Sequence, residues 1–167
     1  MTAGAHVALQ CAPMTAASRD DARALLGAFL EDDEHYRASA AVYGDGGAPA
    51  LDRALALFIA RPDVGFVWMA RAVHGNSMMA VGACVACYAI STSRGSLVIK
   101  LDDVTIHTEW RGRGVGNGML SALVAHLRVQ GVTRIDCGCH RDNEGAWRFY
   151  ERLGFRPLDE ERLAMLI

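Results

Sequence analysis

Apolar residues in the first third of the chain recur at the spacing of an amphipathic helix. After Ser18 and Asp20, either of which can cap a helix, they fall three and four positions apart. The members of this stripe are Ala22, Leu25, Leu26, Phe29 and Leu30. A second helix is predicted over Leu51–Ala60, where Pro62 stops it. Between the two, Tyr43–Pro49 contains three glycines and predicts a loop.

The middle of the chain shows the shorter apolar runs that are typical of a sheet. Gly65–Val73 and Met79–Ile90 predict two paired strands with a turn at His74–Ser77. After a turn at Gly95, a third strand is predicted over Leu97–His107. The remaining predicted strands are Val7–Cys11, Val132–Gly138 and a final one within Arg156–Ile167. This order of elements predicts an α+β (mixed α/β) fold, with helices on both faces of a mixed sheet.

Length and charge restrict the classes of protein to consider. The 167 residues predict a single domain, 1–167, with room for a real core. A net charge of −2 gives no basic field for nucleic acid, so no nucleic-acid partner is expected. No run of eighteen apolar residues is present, so no membrane association is expected. The first six residues lack the pattern of a signal peptide, which favours a cytoplasmic location.

Cysteine spacing raises one alternative chemistry. Cys84 and Cys87 form a C-x-x-C pair, which is compatible with zinc or redox chemistry. No second pair completes a zinc site, and a three-residue offset in a strand places the two side chains on opposite faces. Cys137 and Cys139 are expected to share one face of a strand. All five cysteines are therefore expected to be free thiols in a reduced compartment, with no metal bound.

A glycine-rich segment follows the third predicted strand and precedes a helix. Arg111–Gly118 contains four alternating glycines. Apolar residues at helical spacing come next, namely Met119, Leu120, Leu123, Val124 and Leu127. Glycine lets backbone approach a ligand, and the first turn of a helix offers unpaired N–H groups with a partial positive charge. A strand, glycine loop and helix in this order predict a cradle for phosphates.

The spacing of these glycines indicates which kind of phosphate-binding loop the segment could form. A Walker loop is excluded because Met119 follows Gly118 where lysine is needed, and no G-x-G-x-x-G can be completed. The remaining pattern, Arg111-x-x-Gly114-x-Gly116, resembles the acyl-CoA diphosphate loop of the GNAT superfamily of N-acetyltransferases. Taken alone, this short pattern also fits a glycine-rich turn that binds nothing.

A second segment strengthens the resemblance. Asn143–Phe155 contains Asn, Ala and Phe-Tyr-Glu-Arg-Leu-Gly-Phe, which resembles the last signature segment of the same family. Gly154 stands where a helix C-terminal glycine belongs. The resemblance covers about residues 79–155, the expected acetyl-CoA core. It implies the GNAT fold, a mixed and mostly antiparallel sheet of about six to seven strands with about four helices.

The resemblance also implies how acetyl-CoA is held. The loop residues expected at the diphosphate are Arg111, Gly112, Arg113, Gly114, Val115, Gly116 and Asn117. The backbone of Val104, Thr105 and Ile106 is expected to bind the pantetheine arm, and one N–H there to meet the thioester oxygen. Asn143 is expected either to hydrogen-bond the arm or to cap its helix.

Three residues are candidates for proton transfer. Asp102 and Asp103 are adjacent acids in a predicted strand, where acids are depleted, and in a regular strand one of them must face the cleft. Leu101–Ile106 is similar to the spermidine/spermine N1-acetyltransferase branch, whose catalytic acid falls on Asp102. The family resemblance implies Tyr150 as the acid for the leaving thiolate; the alternative is a core tyrosine.

The acceptor is less well specified. Glu31, Asp32 and Glu34 follow the first helix and, with Tyr36, are expected to form the acceptor wall; the alternative is a solvated helix end. His35 and Trp68 are further candidates for the lining of the acceptor pocket. Several carboxylates favour a small cationic amine, with a polyamine slightly ahead of an aminoglycoside. A protein acetyltransferase also fits the resemblance, as does an acyl-CoA-binding protein without catalysis. His107 is expected to be structural or on the surface. Family analogy favours a homodimer.

Overall fold

The computed structural model describes residues 7–44, 46–158 and 165. Its strands are β1 (Leu9–Pro13), β2 (Gly65–His74), β3 (Ser77–Ser91), β4 (Ser96–Ile106) and β5 (Ile135–Cys137). Its helices are α1 (Arg19–Asp32), α2 (Glu34–Tyr43), α3 (Gly47–Ala60), α4 (Val115–Val129) and α5 (Glu144–Arg152). The sheet order is β1-β2-β3-β4-β5; the first four strands are antiparallel to their neighbours, and β5 is parallel to β4.

This architecture confirms the predicted α+β fold, and its counts differ slightly from the expected ones. The described residues form five strands and five α-helices, against six to seven and four expected. Most of the final strand expected within Arg156–Ile167 lies outside the described residues. None of the helices in the described part is long and apolar enough to cross a membrane.

The core lies on both faces of the sheet. Alternate residues of β2 point to opposite faces, as a strand requires. On one face, Trp68 and Leu101 pack with Met119 and Leu123 of α4. On the other face, the buried residues of α1, α3 and the sheet are Ala22, Leu25, Leu26, Leu51, Leu55, Val67, Met69 and Ala83. The sheet thus separates the α4 side from the α1–α3 side.

Helix α2 was not predicted, and the loop predicted over Tyr43–Pro49 is shorter than expected, because α2 extends to Tyr43 and α3 begins at Gly47. Asp33 caps α2, since its Oδ1 accepts a hydrogen bond from the backbone N–H of Tyr36 at 2.7 Å. The helix ends at Gly44, whose φ of 69° gives the left-handed cap that glycine favours. The stretch 34–43 consists mainly of small and polar residues, so apolar spacing gave no signal for it.

Strand β4 carries a bulge at the two adjacent acids. Asp102 pairs with Val85 and Thr105 with Ala83, so that Asp103 and Val104 both lie opposite Cys84. Asp103 has a φ of 51° and is the only non-glycine residue with positive φ among those described. The strand is therefore not regular here. The expectation that Asp102 and Asp103 point to opposite faces assumed a regular strand, so it does not apply.

The cysteines are free thiols throughout the described residues. Cys84 is buried, and its C-x-x-C partner Cys87 is only partly buried. β5 ends at Cys137, so the expectation that Cys137 and Cys139 share one face of a strand is wrong. No group of three or more His, Cys, Asp or Glu residues in the described ranges is arranged to hold a metal ion.

Candidate active site

The glycine segment joins β4 to α4 through a backbone that only glycine adopts readily. Gly112 and Gly114 have φ values of 72° and 80°, and Gly114 is the N-cap of α4. No side chain caps the helix. Because the first N–H groups of a helix have no partner within it, those of Val115, Gly116 and Asn117 are available to an anion at the positive end of α4. A Cβ on Gly116 would lie 3.1 Å from the ring of Phe149, so glycine also allows α4 and α5 to pack closely.

The two loop arginines have different surroundings. Arg111 donates from Nε to the carbonyl oxygen of Ile106 at 3.0 Å, which ties the loop to the end of β4. Its side chain borders the cleft described below. The guanidinium of Arg113 lies 5.4 Å from the centre of the Trp110 ring. Both arginines are exposed and stand beside the free N–H groups of the loop.

The end of β4 presents an open backbone edge. Its pairing with β5 covers only Ile99–Leu101. Beyond this point, His107 donates its N–H to the carbonyl of Val81 at 2.9 Å. Because successive N–H groups of a strand point in opposite directions, the N–H of Thr105 points toward β3. The N–H groups of Val104 and Ile106 then point away from β3. Val104 and Ile106 therefore offer N–H groups at the gap between β4 and β5. Thr105 instead contributes its side chain, 6% exposed, to the cleft.

Asp102 and Asp103 differ in their electrostatic environment. The carboxylate of Asp102 forms an ion pair with Lys100 at 3.0 Å. Asp103 forms no ion pair with another described residue. Burial raises the pKa of Asp103 to about 6, and the charge of Asp102 adds to the increase while Lys100 opposes it. The acid in the bulge is thus the one whose pKa is shifted toward neutrality.

Tyr150 lies on α5 between aromatic neighbours. Its ring centre is 5.2 Å from that of Phe149 and 5.3 Å from that of Phe155. Phe155 reaches this position because Gly154, with a φ of 92°, reverses the chain, and the N–H of Phe155 bonds to the carbonyl of Tyr150. Burial raises the pKa of Tyr150 above its usual value, with nearby thiols and Asp102 adding to the effect. The phenol therefore keeps its proton at neutral pH.

Asn143 begins α5 and also reaches the cleft. Its Oδ1 accepts the N–H of Ala146 at 3.0 Å, which is an N-cap. Its side-chain amide group remains as a donor beside the cleft. The capping role expected from the sequence is present, and it does not exclude contact with a ligand.

A cleft of about 890 Å³ lies between α1, α2 and the ends of β2, β3 and β4. Of the predicted acceptor residues, Asp32, Glu34 and His35 line it, whereas Glu31 and Tyr36 do not. Trp68, another candidate, is in the core, and its Nε1 donates to the carbonyl of Met119 at 3.1 Å. Asp102, Asp103 and Tyr150, the residues expected to transfer protons, do not line the cleft either.

Sequence reasoning missed several residues that line the cleft. They include Asp21, His74 and His107. His107 was expected to be structural or on the surface; it borders the cleft, and its Nδ1 is buried without a hydrogen-bond partner. Asp21 pairs with Arg71. These residues come from α1, β2 and the end of β4, so no local motif could have grouped them.

Comparison with known proteins gives a family match. The model of the acetyltransferase (GNAT) family matches residues 20–155. Mycothiol acetyltransferase of Nocardiopsis dassonvillei is 38% identical over 58 residues, which are 35% of this chain and 18% of that protein. An uncharacterised N-acetyltransferase of Methanocaldococcus jannaschii is 28% identical over 69 residues, 41% of this chain and 30% of that protein. The chain therefore spans less than a third of the length of these curated relatives.

Solved structures show the same fold at low identity. One is AAC(6')-Iy in complex with the bisubstrate analogue CoA-S-monomethyl-acetylneamine. It has a TM-score of 0.71 and 14% identity, and the alignment covers 96% of this chain and 99% of that one. At this identity the likeness establishes the fold.

Proposed function

Because this chain belongs to the GNAT family of acetyltransferases, we propose that it transfers an acetyl group from acetyl-CoA to a primary amine of a small cationic molecule, with polyamine-like amines favoured. One observation carries the proposal: the uncapped start of α4 and the open edge of β4 are joined by the glycine loop, and both border one gap in the sheet. This arrangement can hold a long ligand that has a diphosphate at one end and amide groups along its arm.

The fit to acetyl-CoA rests on the backbone. The N–H groups of Gly112–Asn117 would hold the diphosphate, with Arg111 and Arg113 adding positive charge. Val104 and Ile106 would pair with the amides of the pantetheine arm as an added strand does. One of their N–H groups would also stabilise the oxyanion that develops during transfer. Acetyl-CoA supplies the thioester that the amine attacks.

Asp103 is the better candidate to accept the proton of the amine. A primary amine with a pKa near 10.4 is almost wholly protonated at neutral pH, so its proton must be removed. Asp103 is mostly ionised above its pKa of about 6, and that raised pKa makes it a stronger base than an ordinary aspartate. Asp102 is paired with Lys100, which favours a role in positioning or electrostatics. Because Asp103 lies outside the cleft lining, we propose that a water molecule relays the proton.

Tyr150 is the candidate to return a proton to the leaving sulfur. Its side chain, on α5, packs against the core cluster on the α4 side of the sheet, and the phenol stays protonated because burial raises its pKa. A buried phenol can donate a hydrogen bond and then its proton to a thiolate.

The acceptor side of the proposal depends on two carboxylates. Asp32 and Glu34 line the cleft and can hold an ammonium group that is not the one acetylated. Molecules with several amino groups match this arrangement. An aminoglycoside is the second candidate, since AAC(6')-Iy, which shares the fold, was solved with an analogue containing acetylneamine.

Acetyl-CoA binding and an amine panel together test the proposal. We expect acetyl-CoA to raise the Tm of the purified protein, and the panel of polyamines, aminoglycosides, lysine analogues and peptides to show turnover with polyamines first. Absence of a Tm shift would reject the donor site. Binding without turnover on any amine would indicate an acyl-CoA-binding protein, and turnover confined to peptides would indicate a protein acetyltransferase.

A further inference from the structure

One stretch of the acceptor cleft is lined by apolar side chains. Helix α1 turns one face toward the cleft, because its lining residues recur at spacings of three and four. The start of β3 borders the same cleft, and its alternate residues point to the side of the sheet that α1 covers. We call this stretch the apolar trough; its residues are Ala24, Leu25, Ala28, Phe29, Met78 and Ala80.

The apolar trough is partly open to solvent. Ala24 and Ala28 are exposed on α1, and Met78 is 39% exposed on β3. Phe29 is half-buried, and its ring centre lies 6.0 Å from that of Tyr36. A ligand that lies in the trough would therefore remove apolar protein surface from water, which favours binding of apolar groups.

The apolar trough offers almost no hydrogen-bonding groups to a ligand. Its side chains are hydrocarbon or thioether, and the backbone N–H and C=O groups of residues 24–29 bond to one another and to neighbouring turns within α1. A hydroxyl group bound here would lose its hydrogen bonds to water without gaining others. Methylene and aromatic groups lose none, so the trough favours them over hydroxyl-rich groups.

The carboxylates that could hold a cation are concentrated at one end of α1. Asp32 and Glu34 border the cleft there, and about three helical turns, or about 16 Å, separate Asp32 from Asp21 near the other end. Asp21 also lines the cleft, but its carboxylate forms an ion pair with Arg71. The negative charge available to a cation therefore lies at the junction of α1 and α2. The other titratable residues of the lining are Asp33, His35, His74, His107 and Arg111.

We propose that the apolar trough binds an aliphatic or aromatic segment of the acceptor while Asp32 and Glu34 hold a cationic group of the same molecule. The acceptor is then an amphipathic amine with several adjacent apolar carbons, and not a hydroxyl-rich amino sugar. Among polyamine-like amines, long methylene chains or alkyl substituents are favoured. The selection of an acceptor for transfer rests on the proposed function, whereas the affinity of the trough for an apolar segment does not.

Binding of simple alkylamines tests the trough without turnover. NMR titrations of the labelled protein with propylamine, butylamine, hexylamine and octylamine, without acetyl-CoA, should give a Kd that falls about twofold to fourfold for each added methylene. Glucamine has the same carbon chain length as hexylamine but carries a hydroxyl group on every other carbon atom of the chain, so it should bind at least tenfold more weakly. A Kd independent of chain length, or equal binding of hexylamine and glucamine, would overturn the proposal.

Two substitutions at exposed positions locate the binding. Ala28→Gln places a polar side chain in the trough, and Met78→Gln replaces the thioether by an amide of similar length. Each should weaken octylamine at least fivefold and propylamine less than twofold. Val73→Gln is the matched control, because Val73 pairs with Met78 across the hairpin and is 62% exposed but does not line the cleft. An equal loss in Val73→Gln, or no loss in either trough variant, would contradict binding in the trough.

The same amines separate the trough from the proposed function. Acetylation of polyamines together with a Kd that is independent of chain length would reject the trough and leave the proposed function intact. A Kd that depends on chain length, without acetylation of any amine, would leave the trough intact and reject the transfer to amines.

Discussion

The donor half and the acceptor half of the site are built by different means. The proposed donor half consists of the β4 edge, the glycine loop, α4 and α5, and the groups that it offers to a ligand are mainly backbone N–H groups. The acceptor half consists of side chains from α1, α2 and the β2–β3 hairpin around one cleft. Backbone N–H groups can be offered by many sequences, whereas the side chains that line the cleft can determine which acceptor binds. Substitutions in each half test whether this division of labour is real.

The largest effect is expected from a charge placed in the donor half. Gly114→Asp adds a Cβ at a φ of 80° and a negative charge beside the N–H groups that would hold the diphosphate. We expect the Tm shift with acetyl-CoA to disappear and the affinity to fall at least a hundredfold. Isothermal titration with CoA and acetyl-CoA measures this loss.

Gly131→Asp is the matched control for backbone strain. Gly131 has a φ of 75° and open space around its Cβ position, as Gly114 does, but it lies at the other end of α4. This variant should lose about 1–2 kcal/mol of stability and keep its acetyl-CoA affinity. Equal loss of affinity in both variants would show that the effect on Gly114 is one of folding and not of the diphosphate site.

The next effect concerns the acid in the bulge. Asp103→Asn removes the charge and keeps a side chain that tolerates positive φ as well as aspartate does. We expect kcat to fall about 10²- to 10⁴-fold, as for the loss of a general base, with little change in acetyl-CoA affinity. Asp102→Asn should cost less than tenfold. The reverse ranking would assign the base to Asp102, as the spermidine/spermine branch implies.

The dependence of kcat/KM on pH is a second test of whether Asp103 is the general base. In the wild type, kcat/KM should fall below about pH 6 as Asp103 takes up its proton, and this limb should be absent from the residual activity of Asp103→Asn. A raised pKa means that the folded chain binds more protons than the unfolded chain between about pH 4 and pH 6. Stability of the wild type therefore falls as the pH rises through this range and stays lower above it.

Asp103→Asn should for that reason be more stable than the wild type at pH 7.5 while being less active. The gain is on the order of 2 kcal/mol, reduced from the full shift because the group is partly exposed. It should vanish below about pH 4, where aspartate is protonated in both states. A loss of stability at pH 7.5 would mean that Asp103 is a structural residue of the bulge.

The difference between the donor half and the acceptor half also explains which parts of the site could be predicted from the sequence. Gly112, Gly114 and Gly154 have positive φ, so the local sequence alone indicates where the chain must turn. The bulge at Asp103 arises from the pairing of β4 with β3, and no local pattern encodes it. Helix α2 depends on the cap at Asp33 and the glycine at 44 rather than on an apolar stripe. The cleft is lined by residues from several separate elements, so only some of the residues on its acceptor side, namely Asp32, Glu34 and His35, were predicted from the sequence.

Tyr150→Phe tests the acid on the donor side. The change leaves the aromatic contacts with Phe149 and Phe155 in place and removes only the hydroxyl. We expect kcat to fall about tenfold to a hundredfold while the affinity for acetyl-CoA stays the same. A smaller loss with an acyl donor whose thiol has a lower pKa would support proton donation to sulfur. An unchanged kcat would leave Tyr150 as a core residue.

The smallest effects are expected in the acceptor half, because exposed ion pairs contribute little individually. Asp32→Asn and Glu34→Gln each remove one carboxylate from the cleft lining, and we expect KM for a polyamine to rise about threefold to tenfold, with kcat and acetyl-CoA affinity unchanged. The increase should shrink at high salt, since salt screens the same attraction in the wild type.

Glu31→Gln is the matched control, because Glu31 is an exposed acid that lies on α1 next to Asp32 but does not line the cleft. A rise in KM with Glu31→Gln alone would move the acceptor away from this cleft, while a rise in all three would indicate only the general negative charge of this face.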